Sequence, residues 1–176
     1  MNTSDPTAGF DRLPHPARER LARLARAAAL GAATGGRSSA GPAAVALTST
    51  VADRGPAGRL GTPVGRVVAC LFAVGEAVGD KLPVTPPRTR APGLAPRLLL
   101  APVAAVTAGL RTTRDPDVWT VAEAAAAVAA ALATAFGGVR LRAALAARLG
   151  SDLPGALLED AVVSGLAWSG AHRSTP

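Results

Sequence analysis

Arg37, Glu76, Asp80, Glu123, Glu159 and Asp160 stand inside or at the edges of apolar runs. A lone Asp or Arg at the centre of a lipid-embedded helix costs about 2.5–3.5 kcal/mol on insertion scales, so such groups pair with one another or line a wet cavity. Glu76 and Asp80 are spaced four apart and share one helix face, with Lys81 next in line and long enough to snorkel. Gly35-Gly36-Arg37-Ser38 sets a cation in a helix-breaking string, and Gly137-Gly138-Val139-Arg140 precedes Glu159-Asp160 in a similar way. The chemistry expected is that of ion pairs: Arg37 against Glu76 or Asp80, and Arg140 against Glu159 or Asp160. A break at Gly35-Gly36 frees backbone amides for an anion or carbonyls for a cation. A buried carboxyl among them could also cycle protons, because desolvation favours its neutral form.

The elements that must position these residues are helices. No segment alternates with period two, so an all-α protein is expected. Residues 1–16 are polar and Pro-containing and read as a disordered tail, 17–170 as one helical domain, and 171–176 as a second polar tail. Ala17 to Ala28 has a basic amphipathic pattern, with Leu21, Leu24 and Ala28 on one face and Glu19, Arg20 and Arg23 elsewhere, suited either to a membrane surface or to solvent. Five apolar stretches follow, at about 27–47, 62–80, 94–110, 118–138 and 154–168. The first is interrupted between Gly35 and Pro42, the third carries Pro102, and the third and fifth are short for a full crossing. The expected architecture is a polytopic transmembrane bundle of four to five short Ala-rich helices in the lipid bilayer of a bacterial cytoplasmic membrane.

Composition agrees with this and excludes other classes. The chain has 176 residues, enough for one domain. It holds no Ile, Gln or Tyr, and its bias toward Ala, Gly, Pro and Arg suits a GC-rich bacterial genome. A net charge of +7 invites a nucleic-acid reading, but the basic residues lie in clusters between apolar runs, with no recognisable nucleic-acid-binding motif, so no nucleic-acid partner is expected. A soluble Ala-rich bundle is the competing architecture, since Ala inserts into lipid less readily than Leu or Ile. The single cysteine, Cys70, rules out an internal disulfide, and its apolar surroundings suggest a buried, inert thiol. His15 and His172 lie in polar ends, so neither a metal nor a cofactor is expected. Arg20, Arg23 and Arg26 precede an apolar stretch as in a signal peptide, but that stretch runs into Gly35-Gly36-Arg37, a poor cleavage site.

With five crossings and a cytoplasmic N-terminus, twelve basic residues fall inside and six outside. Trp119 and Trp168 then share the outer interface, and the C-terminus lies outside. The two Gly-Gly strings, each followed by an Ala run and then by acidic residues, would form an inverted internal repeat of the kind found in secondary transporters.

At these residues the chain resembles a family of bacterial membrane proteins catalogued as domain of unknown function 4126. The resemblance rests on Gly35-Gly36-Arg37-Ser38, on Glu76-Ala77-Val78-Gly79-Asp80-Lys81-Leu82-Pro83 and on Glu159-Asp160, with Arg88, Pro92-Gly93 and Arg97 also similar. It extends from about Ala27 to Trp168, and the Glu-x-x-x-Asp-Lys-Leu-Pro string is its most specific part. It implies membrane residence and brings no activity with it.

Two functions follow from the residues. One is small-solute or ion transport, coupled to protons, through a bundle with buried Arg–carboxylate pairs. Its binding residues would be Gly35, Gly36, Arg37, Ser38, Glu76, Asp80, Lys81, Arg140, Glu159 and Asp160. The other is a structural or accessory role in which the same pairs are static, and in which Gly75 and Gly79 allow close helix contact or a homo-oligomer. An enzyme is not expected, because no Ser/His/Asp set, Gly-x-Ser-x-Gly turn or metal-ligand spacing is present.

Overall fold

The computed structural model describes residues 14–79, 89–111 and 115–172. Among these residues the protein is all-helical, without strands: α1 (His15–Gly36), α2 (Ala40–Thr48), α3 (Pro56–Leu60), α4 (Pro63–Gly79), α5 (Ala91–Gly109), α6 (Val118–Leu149) and α7 (Leu153–Ala171). Two of them, α5 and α6, are long and apolar enough to cross a membrane.

The helices pack through small residues. Gly31 and Gly35 of α1 lie against the α6 backbone so closely that a Cβ would come within 2.1 Å of the Ala127 carbonyl oxygen and 2.3 Å of that of Ala131. On the facing helix Thr120, Glu123, Ala127, Ala131 and Ala135 form one buried stripe at helical spacing. Gly31 and Gly35 are therefore a small-x-x-x-small contact. Gly75 and Gly79, expected to play that part, have nothing within 4 Å of the Cβ position, because α4 lies at the edge of the bundle. The three buried clusters are built mainly of alanine, with Leu30, Val45 and Val163 as the larger members.

Large apolar side chains point outward instead. On α4 Val64, Val67, Val68, Leu71, Phe72, Val74 and Val78 are all exposed, and no residue of that helix is buried. Cys70 is exposed too, against the expectation of a buried thiol, since it lies on the same peripheral helix. On α6 only 17% of the apolar window is buried, which is little for the core helix of a water-soluble domain.

Contacts along α1 give the direction of each partner. Arg23 meets Glu123 and Gly35 meets Ala131, so α6 runs parallel to α1. Arg37 meets Asp160 while Gly170 lies against Arg26, so α7 runs antiparallel. Arg97 reaches Gly35 and Ala105 packs near Ala27, so α5 is antiparallel as well. The interrupted first stretch is a reversal and not a kinked crossing. Arg37 is extended (φ −137°, ψ 123°), and a Cβ on Gly41 would lie 2.2 Å from Thr34 Oγ1 and 3.1 Å from the Leu30 carbonyl oxygen. Thus α2 returns along α1, with Pro42 tolerated in its first turn, where an amide lacks an intrahelical acceptor.

With that reversal the start of α1 and the end of α7 do not fall at opposite ends, as five crossings would place them. The start of α1 and the end of α7 lie at one end of the bundle, where Arg26 Nη2 donates to the His172 carbonyl at 3.0 Å. Trp119 lies beside Arg20, and Trp168 beside His172, at this same end. The tryptophans do share an end, but it is the end of the N-terminal helix start. The inverted repeat fails for a related reason. Gly137 and Gly138 lie inside an unbroken α6 that runs parallel to α1, in a context without proline or a capping side chain to stop the helix.

The outer boundaries also shift. α1 begins at His15, inside the expected polar tail, and α7 continues to Ala171. α5 begins at Ala91, three residues before the expected apolar stretch at about 94–110. Pro92 sits in its first turn, where it is compatible with helix, while Pro96 and Pro102 lie inside.

Candidate functional site

The break between α1 and α2 collects polar groups from three helices. Glu76, projecting from α4, lays its carboxylate across Ser38 and Ser39 at the N-terminus of α2. Oε1 accepts from the Ser38 amide and hydroxyl, both at 2.7 Å. Oε2 accepts from the Ser39 amide at 2.8 Å and from the Ser39 hydroxyl. An anion at this place is favoured by the two unsatisfied amides and by the helix dipole.

Arg97 of α5 completes the cluster. It is 5% exposed, places Nη2 3.6 Å from Glu76 Oε1, donates through Nε to the Gly35 carbonyl at 3.2 Å, and bonds the Gly93 carbonyl through Nη1. Gly35 thus presents its carbonyl to the site, while Gly36 faces Val163 of α7.

The expected pairings are redistributed. Arg37 turns away from Glu76 and reaches Asp160 of α7, with Nε and Nη2 donating to Oδ1 at 3.1 and 2.7 Å on a half-exposed rim. Glu159 is met by Arg142 at 3.5 Å, and Arg142 also pairs with Asp152. Arg140, two residues earlier on α6, is exposed, because Arg142 lies on the side facing α7. Asp80 and Lys81 lie outside the described residues. Of the expected set, Gly35, Ser38 and Glu76 meet at one point, and Arg37 and Asp160 form a neighbouring pair across α1 and α7.

Several contributors escaped the sequence reading. Arg97 belongs to one stripe on α5 with Ala101, Ala104 and Ala108, at steps of four, three and four, and Arg111 follows three residues later, just past the end of the helix. That spacing, continued past the apolar positions, was the signal that both arginines face inward. Arg111 is 5% exposed and holds the opposite end of α2: Nη2 donates to the Val45 carbonyl at 3.0 Å and to Thr48 Oγ1 at 2.9 Å. Its Nη1 donates to the Ala171 carbonyl at 2.8 Å, joining the end of α7. α2 therefore carries a carboxylate at its N-terminus and a guanidinium at its C-terminus, both matched to its dipole.

A separate ion cluster ties α1 to the start of α6. Arg23 Nε donates to the buried Glu123 at 2.5 Å, and its terminal nitrogens reach both oxygens of Asp117 at 3.2 and 2.9 Å. Asp117 also caps α6, accepting from the Thr120 amide at 2.9 Å in a reciprocal capping box. The Arg23 guanidinium, and then the Thr120 donors, hold the Asp117 carboxyl well below the usual carboxylate range, against a smaller opposing cost of desolvation. A depressed acid contributes stability above its unfolded pKa of about 4 and loses it as pH falls toward the folded value. Asp117→Asn is expected to lower the melting temperature at pH 7 and to leave it nearer to the unsubstituted protein's value at pH 3. Paired thermal melts at the two pH values check this.

Among the described residues no group of three or more His, Cys, Asp or Glu is placed to hold a metal ion. No family model, curated protein or solved structure matches this chain.

Proposed function

We propose that this chain is a multi-pass integral membrane protein of a bacterial cytoplasmic membrane, and that the cluster at the α1–α2 break handles a small solute or ion in step with protonation of Glu76. The outward display of large apolar side chains on α4, α5, α6 and α7 over a core of alanine supports the membrane placement, since lipid is the solvent that such a surface requires. We place the N-terminus on the cytoplasmic side, and the C-terminal end of α7 with it, because α1 and α7 share that end. Beyond α5 and α6, the reading takes α1, α4 and α7 as further membrane-embedded helices.

The observation that carries the functional part is a carboxylate seated on the buried amides of Ser38 and Ser39 at the turn between α1 and α2, beside a buried arginine. Interrupted helices in transporters present this kind of backbone to charged substrates. Protonating Glu76 would remove the negative charge that Ser38, Ser39 and Arg97 all address, and so would couple occupancy of the seat to a proton. Membership of the family that the sequence resembles belongs to the same proposal. It gains from the meeting in space of Gly35, Ser38, Glu76 and Arg97, which carried the resemblance from three separate parts of the chain.

One observation favours a second reading. Glu76 accepts four hydrogen bonds from Ser38 and Ser39, a degree of satisfaction also suited to a static brace. The two readings part on Glu76→Gln. In proteoliposomes with an imposed pH gradient, a proton-coupled carrier is expected to lose proton flux at least tenfold with this change while remaining folded and inserted. A brace shows no flux in either form and a lower melting temperature in the variant. Extraction of the unsubstituted protein from membranes by alkaline carbonate would overturn the membrane placement itself.

A further inference from the structure

We infer that the solute taken by the Glu76 cluster is a small monoanion of the carboxylate class, and that it occupies the seat on Ser38 and Ser39 in place of the Glu76 side chain. The inference rests on the reading of that cluster as a working centre and names its substrate class.

The seat has the shape of a carboxylate. Its donors come in pairs, one amide and one hydroxyl for each oxygen. Ser38 gives both to Oε1 at 2.7 Å, and Ser39 gives its amide to Oε2 at 2.8 Å together with its hydroxyl. Two adjacent residues thus address the two oxygens of one planar group. A tetrahedral anion such as sulfate would bring two further oxygens, for which the serines have no donor left.

Charge and burial narrow the class further. Arg97 Nη2 stands 3.6 Å from Oε1, while Arg37, next to the serines in the chain, is engaged by Asp160 of α7. One guanidinium therefore faces one carboxylate. A dianion in the seat would leave a charge buried without a partner, which is costly. Ser38 and Ser39 are 5% and 2% exposed and Arg97 is buried as well, so the carboxyl end of a solute, and little more, fits among them.

The exchange replaces like with like. A protonated Glu76 carboxyl donates from one oxygen, so the serine donors then face a hydrogen where they had a lone pair. A free carboxylate offers all its lone pairs to the same donors. The incoming anion brings one negative charge and Glu76 has taken up one proton, so the net charge opposite Arg97 is the same before and after. The backbone of α4 stays in place, because that helix packs on α2 and its Ala69, Ala73 and Ala77 are half-buried.

Glu76→Ala deletes a fragment that matches acetate in its heavy atoms, and so opens the seat to a free anion. For the purified variant in detergent, acetate is expected to raise the melting temperature by about 3 °C or more over chloride or sulfate at matched ionic strength. Adding Ser38→Ala and Ser39→Ala is expected to remove most of that gain. An equal effect of the three anions overturns the inference, and so does a full gain without the two hydroxyls.

A second measurement uses the unsubstituted protein, and so stands even where Glu76→Ala fails to fold. In proteoliposomes with an imposed pH gradient, external pyruvate or glycolate is expected to speed proton entry beyond its rate in sulfate, after subtraction of protein-free vesicles. Proton entry at one rate in all three media overturns the inference and leaves a carrier of some other solute standing. Acetate binding to Glu76→Ala with no proton entry in any medium overturns both the inference and the carrier reading, and leaves the seat as a brace.

Discussion

Gly31→Leu is expected to prevent the native helix packing, whereas Gly75→Leu is expected to be tolerated. At Gly31 the Cβ position lies 2.1 Å from a carbonyl oxygen, 2.5 Å from the Cα and 2.6 Å from the carbonyl carbon of Ala127. All three are backbone atoms of the longest helix, so none can rotate away. The remaining response is separation of α1 from α6, which also parts Gly35 from Ala131 and Arg23 from Glu123. Overpacking of a core typically costs about 1–3 kcal/mol and more where the neighbours cannot yield; Gly31→Leu belongs at the upper end or beyond it. At Gly75 nothing lies within 4 Å, and replacing a mid-helix glycine with leucine removes a helix penalty of roughly 0.5–1 kcal/mol. Thermal unfolding in detergent, followed by the fluorescence of Trp119 and Trp168, checks both variants. Equal melting temperatures would show that the α1–α6 contact is looser than described.

Arg111→Met is expected to be the second strongest disruption. The side chain is buried and supplies three hydrogen bonds, to the Val45 and Ala171 carbonyls and to Thr48 Oγ1. Methionine retains much of the volume and none of the donors. The Val45 carbonyl keeps the Ser49 hydroxyl at 2.6 Å, so the Ala171 carbonyl is the acceptor most exposed to the loss, and a buried acceptor left without a partner costs about 1–3 kcal/mol. Arg111→Lys is expected to recover only part of it, because one ammonium lacks the planar fork that reaches α2 and α7 together. Arg140→Met, at an exposed position of α6, serves as the control and is expected to change little. Chemical denaturation of the three variants ranks them, and an Arg111→Met curve that overlays the control would refute the bridging role.

The residues show why some of this architecture was readable in sequence and some was not. The second apolar stretch, expected from about residue 62, opens where α4 does at Pro63, since proline suits the first turn of a helix. The stop near Gly35-Gly36-Arg37 was also legible, because glycine, serine and proline cluster there. The direction taken after the stop was not. A break in helix chemistry says that hydrogen bonding ends; the return of α2 is decided by Gly41 fitting under Thr34, a contact between positions that share no local pattern. Topology by charge depends on the number of crossings, so that one reversal moved both tryptophans and the end of α7 to the side of α1's start.

The ion pairs follow the same division. That Glu76 needed a partner could be read from its apolar setting, and Ser38 was among the residues proposed for it. Which cation would answer it depended on the angular position of α5, and Arg97 arrived from the start of the third apolar stretch. Arg37 and Asp160 were both legible as costly charges, but their mutual contact crosses from α1 to α7 and needed the antiparallel packing of those helices. Gly137-Gly138 misled because a glycine pair in a run of alanine, leucine and arginine lowers helix stability without ending the helix.

The electrostatic matching at the two ends of α2 has a consequence for biosynthesis. Nine residues of helix hold poorly by themselves, since nucleation is costly and few bonds follow it. The groups that steady α2 are Glu76 at one end and Arg111 at the other, and both leave the ribosome after Thr48, Arg111 last. Until α5 has been made, the segment after Arg37 lacks its C-terminal cation and part of its packing. The hairpin of α1 and α2 is therefore a late product of assembly despite its early place in the chain. A nascent chain truncated before Arg97 would carry α1 and α4 with the intervening turn still unfixed.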